Sequence, residues 1–536
     1  MVGDPGRRGS IGYAADPASA LVSVRLPASR EDRTPVNRDH VIGRAPRHEL
    51  AAVAEGVRST AQRMGLVLGI GDRAVGTVLL AAMSVIGMVA GVATRTGSVV
   101  PVLGVAAALP VVLASFRWPL IPLFAFALLT PIEEVVVIGP LGSLSRYAEI
   151  LFIAAYGLPR LGRLRIRAMP AAAWGYVAWA TLSLAWAVDG SATMTELPIL
   201  GLLFATAVVL AALVTERPAV VRPLLWTYTM SAGVMAVVGL VAFLTSGDVT
   251  GPNDRAAALE GQNPAYYAAI LLPAFVFSLH EFLSGRLVVL SASIAVLAAG
   301  AIIASGTRAA WVSAVLVVFL FILPRLTPAR RVATVGLTAA LALGVVQVPG
   351  VMTLIVDRAA LAVSTGGAGR TDIWTVGLTI YESAPLTGVG LANFPIAYTP
   401  ERVRESDVGI YSVENPAYRA PHNIALGTLA ELGPFGLALL AALLGPLVFR
   451  RGWGPDAAVV QAALASLVTT GLFLDILNRK QLWLLIGLAC GLAYLAARER
   501  LGNEFSAPPI PASPVSPVAT GVISTAGQAA AGSRHG

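Results

Sequence analysis

Residues 196–214 read ELPILGLLFATAVVLAALV, and Glu196 is the only charged residue in this stretch. A helix rises about 1.5 Å per residue, so about 20 apolar residues cross the roughly 30 Å hydrocarbon core of a bilayer. The stretch has both the length and the composition that such a crossing requires. It therefore predicts a transmembrane helix rather than a helix in the core of a water-soluble domain.

The rest of the 536-residue chain repeats this pattern. Hydrophobic residues make up 56% of the whole chain and charged residues only 13%, whereas soluble domains carry about 25% charged residues. This composition excludes a soluble enzyme, and it excludes disorder over most of the chain, because disordered segments are poor in apolar residues. We predict an all-α fold, a polytopic integral membrane helical bundle of about 14 transmembrane helices. The predicted spans lie near 75–93, 98–115, 118–132, 146–160, 172–188, 196–214, 222–245, 264–283, 286–304, 307–324, 331–348, 424–449, 457–474 and 480–497.

The basic residues predict the orientation in the membrane. The net charge of +8 is carried in short loops between apolar runs, as in the cluster Arg160, Arg163, Arg165 and Arg167, which argues against a nucleic-acid partner. Cytoplasmic loops of membrane proteins are enriched in arginine and lysine. Alternation from this cluster places both termini in the cytoplasm of a multi-pass protein of the cytoplasmic (inner) membrane.

The spans divide the chain into five segments. Residues 1–73 and 501–536 are predicted to be disordered cytoplasmic tails. Residues 74–348 form an N-terminal transmembrane bundle, and residues 424–500 form the C-terminal transmembrane helices. Residues 349–423 form a large external (periplasmic or extracytoplasmic) loop between the eleventh and twelfth helices, a length that is uncommon unless the loop is functional or disordered. Its aromatic residues predict a small folded cap: Trp374, Tyr381, Phe394, Tyr398, Tyr411 and Tyr418.

The chain carries few of the ligands that metal and redox sites need. Cys490 is its only cysteine and lies in an apolar run, and the predicted external segments hold no His-Glu-x-x-His and no Asp-x-Asp motif. Zinc and calcium sites are built from such ligand sets. We therefore expect no metal site and no cofactor.

Several basic residues lie on the predicted external side, although arginine and lysine are usually enriched on the cytoplasmic side. Arg308 ends the turn Ser305-Gly306-Thr307-Arg308, Arg370 lies in the long loop, and Arg479 and Lys480 lie at the external end of the last hairpin. Guanidinium groups bind phosphate oxygens in a bidentate manner, so these cations indicate an anion at the outer membrane surface. The alternative is that Arg308 extends from a helix end to lipid headgroups.

His422 is the only one of the five histidines that falls on the predicted external side, where the long loop re-enters the membrane. Imidazole titrates near neutral pH and is the most frequent general base in enzymes. A single histidine is more often a structural or surface residue, and the sequence leaves both interpretations open.

Other polar residues near these positions are weaker candidates. Asn263 either contributes to the site or only caps a helix, and Asp475 either pairs with Arg479 or orients an acceptor. Arg419 lies just before His422 and is a candidate for an acceptor groove. Gly388 and Gly390 indicate a tight turn, whose amides are an alternative phosphate contact.

Four motifs in this order resemble the bacterial O-antigen ligase and O-antigen polymerase family of membrane glycan transferases. They are Ser305-Gly306-Thr307-Arg308, the segment GRTDIW at 369–374, the segment PLTGVGLANF at 385–394, and Pro421-His422-Asn423 followed by ELGPFG at 431–436. The resemblance covers about residues 260–485. Threonine stands at 307 where serine is common in the family, and the chain has more predicted spans than is usual there.

The resemblance implies a function and a mechanism. A glycan on a polyprenyl (undecaprenyl) pyrophosphate carrier would be transferred to the hydroxyl of a glycan or glycolipid acceptor at the outer face of the membrane. Arg308 and Arg370 match the arginines that hold the pyrophosphate, and His422 matches the base that deprotonates the acceptor. A pyrophosphate whose charge is neutralised by arginine is a good leaving group, so neither a metal nor the general acid that glycosidases use is needed. Attack from the side opposite to the leaving group inverts the configuration of the anomeric carbon.

Two alternatives come from other classes of protein. One is a transporter or flippase of lipid-linked sugars, although such proteins more often show duplicated halves and charges at the bilayer midplane. The other is a membrane scaffold for envelope assembly. The sequence also leaves polymerase and ligase open, because both would use the same base and the same arginines.

Overall fold

The computed structural model describes residues 111–133, 142–245, 255–258, 262–332, 369–408, 420–450 and 454–506, with scattered residues between 334 and 360. These residues all belong to one compact unit, Ala52–Gly536. The predicted span at 75–93 and most of those at 98–115 and 331–348 lie outside the described residues. So do the predicted tail at 1–73, most of the C-terminal tail, and Tyr411, Tyr418 and Arg419.

The described chain is built from helices. In chain order they are α1 Ile121–Leu129, α2 Leu144–Phe152, α3 Ala171–Leu182, α4 Gly190–Glu216, α5 Val221–Thr245, α6 Pro264–Leu283, α7 Val288–Ala304, α8 Arg308–Val317, α9 Arg370–Ser383, α10 Phe394–Ala397, α11 Pro400–Glu405, α12 Ile424–Phe449, α13 Pro455–Gly471 and α14 Lys480–Ser506. A π-helical turn, Val318–Ile322, and a 3₁₀ turn, Leu323–Arg325, continue α8.

Six of the described helical stretches are long and apolar enough to cross a membrane, which confirms a multi-pass helical membrane protein. They are Gly190–Glu216, Pro218–Thr245, Pro264–Leu283, Arg308–Arg325, Ile424–Phe449 and Lys480–Arg500. Two shorter apolar helices, Val288–Ala304 and Asp456–Gly471, accompany them. The total of about 14 spans stays a prediction. Where a span was predicted at 172–188, α3 covers only 12 residues, about 18 Å of helix.

Side-chain caps define where three of these helices begin. Asp189 accepts from the Ser191 amide at 2.8 Å before α4, and Asn263 accepts from the Ala265 amide at 2.9 Å before α6. Asn423 accepts from the amides of Ala425 and Leu426 before α12. Each cap satisfies amides that the first helical turn leaves without an intrahelical partner.

Helices α4 and α14 approach each other closely because glycines line their contact. A Cβ atom on Gly487 would lie 2.9 Å from the Ala207 carbonyl oxygen, and one on Gly491 would lie 2.8 Å from that of Ala211. Small residues four apart allow the backbones of membrane helices to meet in this way.

The helices after Gly369 enclose an apolar cluster separate from the main core. Phe394 and Tyr398, two of the aromatic residues predicted to supply a cap, belong to it. Its buried members are Ile373, Val376, Ile380, Val389, Phe394, Ala397, Tyr398, Val403 and Ala430. Because Ala430 lies on α12, the cluster ties α9, α10 and α11 to a membrane helix.

The segment between α9 and α10 lies backbone to backbone on α12. The amides of Val389 and Gly390 donate to the carbonyls of Ala430 and Glu431, at 2.9 and 2.8 Å. Gly388 has a φ of +71°. The amide of Gly388 donates to Ala384, so the glycine amides that were an alternative phosphate contact are used within the fold.

We expect Gly388→Ala to lower the thermal unfolding midpoint of the protein. A Cβ at this position would lie 2.3 Å from the carbonyl carbon of Glu431, and a left-handed backbone alone costs a residue with a side chain about 1–3 kcal/mol. Intrinsic tryptophan fluorescence during heating of the detergent-solubilised protein measures the midpoint.

Gly445→Ala is the matched control on α12, because a Cβ at Gly445 would meet nothing within 4 Å. Alanine is favoured over glycine inside a helix, so this variant should keep or raise the midpoint. Equal midpoints for the two variants would contradict the close backbone contact at Gly388.

Candidate active site

Arg308 begins α8, directly after a turn that other residues hold in place. Arg255 donates from Nε to the Ser305 carbonyl at 2.7 Å and from a terminal nitrogen to Thr307 Oγ1 at 2.9 Å. Thr307 Oγ1 donates to the Pro264 carbonyl at 3.2 Å. The turn is therefore attached to the start of α6, and Arg308 begins its helix from a fixed position.

Arg370 is the first residue of α9 and follows Gly369, whose φ is +76°. It is partly buried. Burial and, after it, the positive charge of Arg308 lower the pKa of the Arg370 guanidinium. The two arginines thus lie within electrostatic reach of each other, at the N-termini of two helices, where the helix dipole also favours an anion.

His422 lies directly before α12 with a left-handed φ of 46°, which is rare for a residue with a side chain and indicates local strain. Its Nδ1 atom is buried and has no hydrogen-bond partner. Burial and, after it, the charge of Arg370 lower the pKa of His422 to about 4. The imidazole is therefore neutral at pH 7, with a buried ring nitrogen left unpartnered.

The neighbours of His422 hold its backbone on both sides. Trp374, one turn after Arg370 on α9, donates from Nε1 to the Pro421 carbonyl at 3.2 Å. The Pro421 ring packs on α12, where a Cβ at Gly427 would lie 2.8 Å from it. Asn423 caps α12 on the other side. The position of the histidine is thus coupled to α9, the helix that carries Arg370.

The structure brings together the three residues that the sequence predicted to form the site. The charge of Arg308 acts on the Arg370 guanidinium, and the charge of Arg370 acts on the His422 imidazole. The three residues come from the starts of α8 and α9 and from the residue before the cap of α12. Two cations beside a neutral imidazole can hold a polyanion next to a group that accepts a proton.

Lys480 does not join these cations. It is only 3% exposed and donates to the Glu133 carboxylate and, at 2.7 Å each, to Ser143 and Ser145. A buried ammonium needs such partners. The prediction that Lys480 helps to attract an external anion is wrong, because these three groups already use its donors.

The weaker candidates from the sequence, Asn263, Arg479 and Asp475, each have a partner of their own in the structure. Asn263 is the cap of α6, as the structural alternative had it. The Arg479 guanidinium lies 3.5 Å from the centroid of the Tyr266 ring, a cation–π contact. Asp475 accepts from the Leu477 amide at 3.4 Å, and burial, the largest influence, raises the pKa of its carboxyl.

The sequence interpretation missed a cavity of about 210 Å³ beside His422. Ala420, Pro421 and Asn423, on either side of the histidine, form part of its lining. So do Glu196, Glu431 and Asp475, from three separate parts of the chain. In the sequence, the cavity is indicated only by acidic residues inside or beside apolar runs. A charge in such a position is energetically costly, so it usually marks a functional site.

These features define a multi-pass helical membrane protein with two arginines and a neutral histidine gathered in one site. Residues 293–441 match the family model described as O-antigen ligase. This match confirms the predicted resemblance to the O-antigen ligase and polymerase family for that part of the chain. Arg308, Arg370 and His422 all fall inside the matched range. A search of curated proteins finds no match to this chain.

Proposed function

We propose that the protein transfers a glycan from a polyprenyl pyrophosphate carrier to an acceptor hydroxyl at the outer face of the cytoplasmic membrane, with both termini in the cytoplasm. The observation that carries the proposal is that Arg370 lies within electrostatic reach both of Arg308 and of His422, and that the buried Nδ1 atom of His422 has no hydrogen-bond partner. The O-antigen ligase match supports glycosyl transfer and does not favour a transporter or flippase.

In the proposed reaction, His422 Nδ1 accepts the proton of the acceptor hydroxyl while the oxygen attacks the anomeric carbon of the donor. The bond from this carbon to the pyrophosphate oxygen breaks, and its electron pair leaves with the pyrophosphate. Arg308 and Arg370 stabilise the charge that develops on the leaving group. Attack from the opposite side inverts the anomeric configuration.

Binding of the donor also changes the basicity of His422. Without an anion, Arg370 disfavours a proton on His422. A pyrophosphate bound to Arg370 offsets this charge, so the pKa of the imidazole rises towards its ordinary value near 6.5. The histidine is then a stronger base when donor is present than when it is absent, which limits proton removal to the complete complex.

Reconstitution in proteoliposomes tests the proposed function. Undecaprenyl pyrophosphate-linked glycan alone should yield lengthened glycans if the protein is a polymerase, whereas a ligase should require an added glycolipid acceptor. Formation of a new glycosidic bond with release of polyprenyl pyrophosphate, and with inverted anomeric configuration by NMR, is the expected result. Movement of the carrier across the bilayer without bond formation would contradict the proposal.

The lowered pKa of His422 predicts a specific pH dependence of transfer. The neutral imidazole is the active form, so kcat/KM for donor should stay level from pH 8 to about pH 5 and fall as the pH passes through about 4. The acid limb of kcat, which reports the donor complex, should lie at higher pH.

Initial rates between pH 4 and pH 8 measure both profiles. Arg370→Ala should move the acid limb of kcat/KM to higher pH, because it removes a charge that lowers the pKa of His422. A limb near pH 6.5 for the wild-type kcat/KM would contradict a shielded histidine.

A further inference from the structure

The cavity beside His422 has an acidic lining, whereas the neighbouring site at Arg308 and Arg370 is basic. Its described lining comes from α3, α4 and α12, from the segments around Ala392 and Pro421, and from the connection between α13 and α14. It contains three carboxylic acids and, among the described residues, no arginine or lysine. The charges of Arg146 and Arg479 act on Glu196 and Asp475, but neither arginine lines the cavity. An anionic donor in the cavity would lie directly against three acidic side chains, so the cavity is poorly suited to pyrophosphate.

The carboxylates have acceptor capacity that the fold leaves unused. Glu196 Oε1 is buried and has no hydrogen-bond partner. Asp475 accepts through Oδ1 from the Leu477 amide at 3.4 Å, near the limit for a hydrogen bond. Glu431 Oε1 accepts from the Phe394 amide at 3.1 Å. Buried oxygens of this kind normally find a donor, so they point to a ligand rich in O–H or N–H groups.

The spacing of these acids argues against a metal ion as that ligand. Within the described residues, no group of three or more His, Cys, Asp or Glu side chains could hold one. The three acidic side chains are close enough to act on one another, but they are not arranged to hold one cation. At about 210 Å³, the cavity is smaller than the roughly 300–1,000 Å³ pockets of drug-sized ligands, so it accommodates one sugar ring rather than an oligosaccharide.

We propose that this cavity binds the terminal ring of the acceptor, as an uncharged or amine-bearing sugar whose hydroxyl or ammonium groups donate to Glu196, Asp475 and Glu431. This inference rests on the proposed glycan transfer. The acceptor hydroxyl then approaches His422 from the carboxylate side, while the donor pyrophosphate lies at the arginines. The opposite charges of the two regions keep donor and acceptor from exchanging places, and they disfavour acceptors that end in an acidic sugar.

Saturation-transfer NMR on the full-length protein in detergent micelles tests the proposal. The probes are the methyl glycosides of glucose, galactose, mannose, N-acetylglucosamine, glucosamine and glucuronic acid. We expect binding of at least one neutral or amino glycoside and none of the glucuronide. The double variant Glu196→Gln/Asp475→Asn should weaken that binding at least tenfold, because charge-assisted hydrogen bonds are about twice as strong as neutral ones.

The double variant also tests selectivity, which would not change in this direction if the protein were simply unfolded. With two carboxylates neutralised, the discrimination against the glucuronide should decrease. Glu401→Gln is the matched control, since Glu401 is an exposed carboxylate paired with Arg404 on α11, and it should bind as the wild type does. Absence of binding for all six probes, glucuronide binding equal to that of the glucoside, or unchanged binding in the double variant would each overturn the proposal.

The test separates this inference from the proposed function. Arg370→Ala should lower transfer strongly but keep glycoside binding, because Arg370 does not line the cavity. Wild-type transfer combined with cavity variants that change neither binding nor acceptor KM would refute the cavity assignment alone. Selective binding in a protein that transfers no glycan would instead refute the proposed function and leave a sugar-binding site.

Discussion

Replacement of His422 by glutamine is expected to lower the rate of glycan transfer about 10²–10⁴-fold, the usual contribution of a general base. Glutamine keeps a polar side chain of similar size but cannot accept and hold a proton near neutral pH. Because the arginines remain, the affinity for undecaprenyl pyrophosphate should change little. Single-turnover transfer in proteoliposomes and equilibrium binding of the lipid measure the two quantities separately.

His280→Gln is the matched control for this variant. His280 lies in the last turn of α6, and neither Arg308 nor Arg370 is among the charges that act on it. Its replacement should leave the transfer rate within about twofold of the wild type. Transfer at the wild-type rate in the His422→Gln protein would remove the assignment of the base, even if the arginines proved essential.

Replacement of Arg370 by alanine is expected to lower kcat/KM for donor about 10²–10³-fold, the range found when one donor to a developing charge is removed. The reason is that Arg370 is partly buried beside Arg308, where its charge is screened less than at an open surface. Arg370→Lys should recover part of the loss, because an ammonium keeps the charge but not the bidentate geometry.

Arg404→Ala provides the comparison for a cation outside the site. Arg404 is exposed and pairs with Glu401 within α11, so its removal should change kcat/KM by less than about twofold. If Arg370→Ala and Arg404→Ala had equal effects, the arginine pair would act through general surface charge rather than as a binding site.

A large part of the site could be predicted because its residues stand out against their surroundings. Arg308 and His422 are polar residues at the ends of apolar runs, and Arg370 lies in a long segment between such runs. The ordered motifs link the three residues through their resemblance to the O-antigen ligase family. The same reasoning failed for Lys480, since its sequence position does not reveal that Glu133, Ser143 and Ser145 surround it.

Glycine motifs were open to two interpretations for a similar reason. The sequence of Gly388 and Gly390 is compatible both with a plain turn and with amides that face phosphate. The choice depends on whether another chain segment supplies acceptors. Ala430 and Glu431 do so for the amides of Val389 and Gly390, and this contact exists only because α12 returns beside the loop.

The amino-acid sequence by itself determined the class of protein, because the free energy of placing about 20 apolar residues in a bilayer depends on composition and length, both of which are local. It also determined which residues were chemically out of place. Only the tertiary structure decided which of these residues lie close together, since Arg308 and Arg370 begin separate helices and His422 precedes a third. It likewise decided that Glu196, Glu431 and Asp475 line one cavity, because burial and charge–charge contact depend on distances in space rather than along the chain.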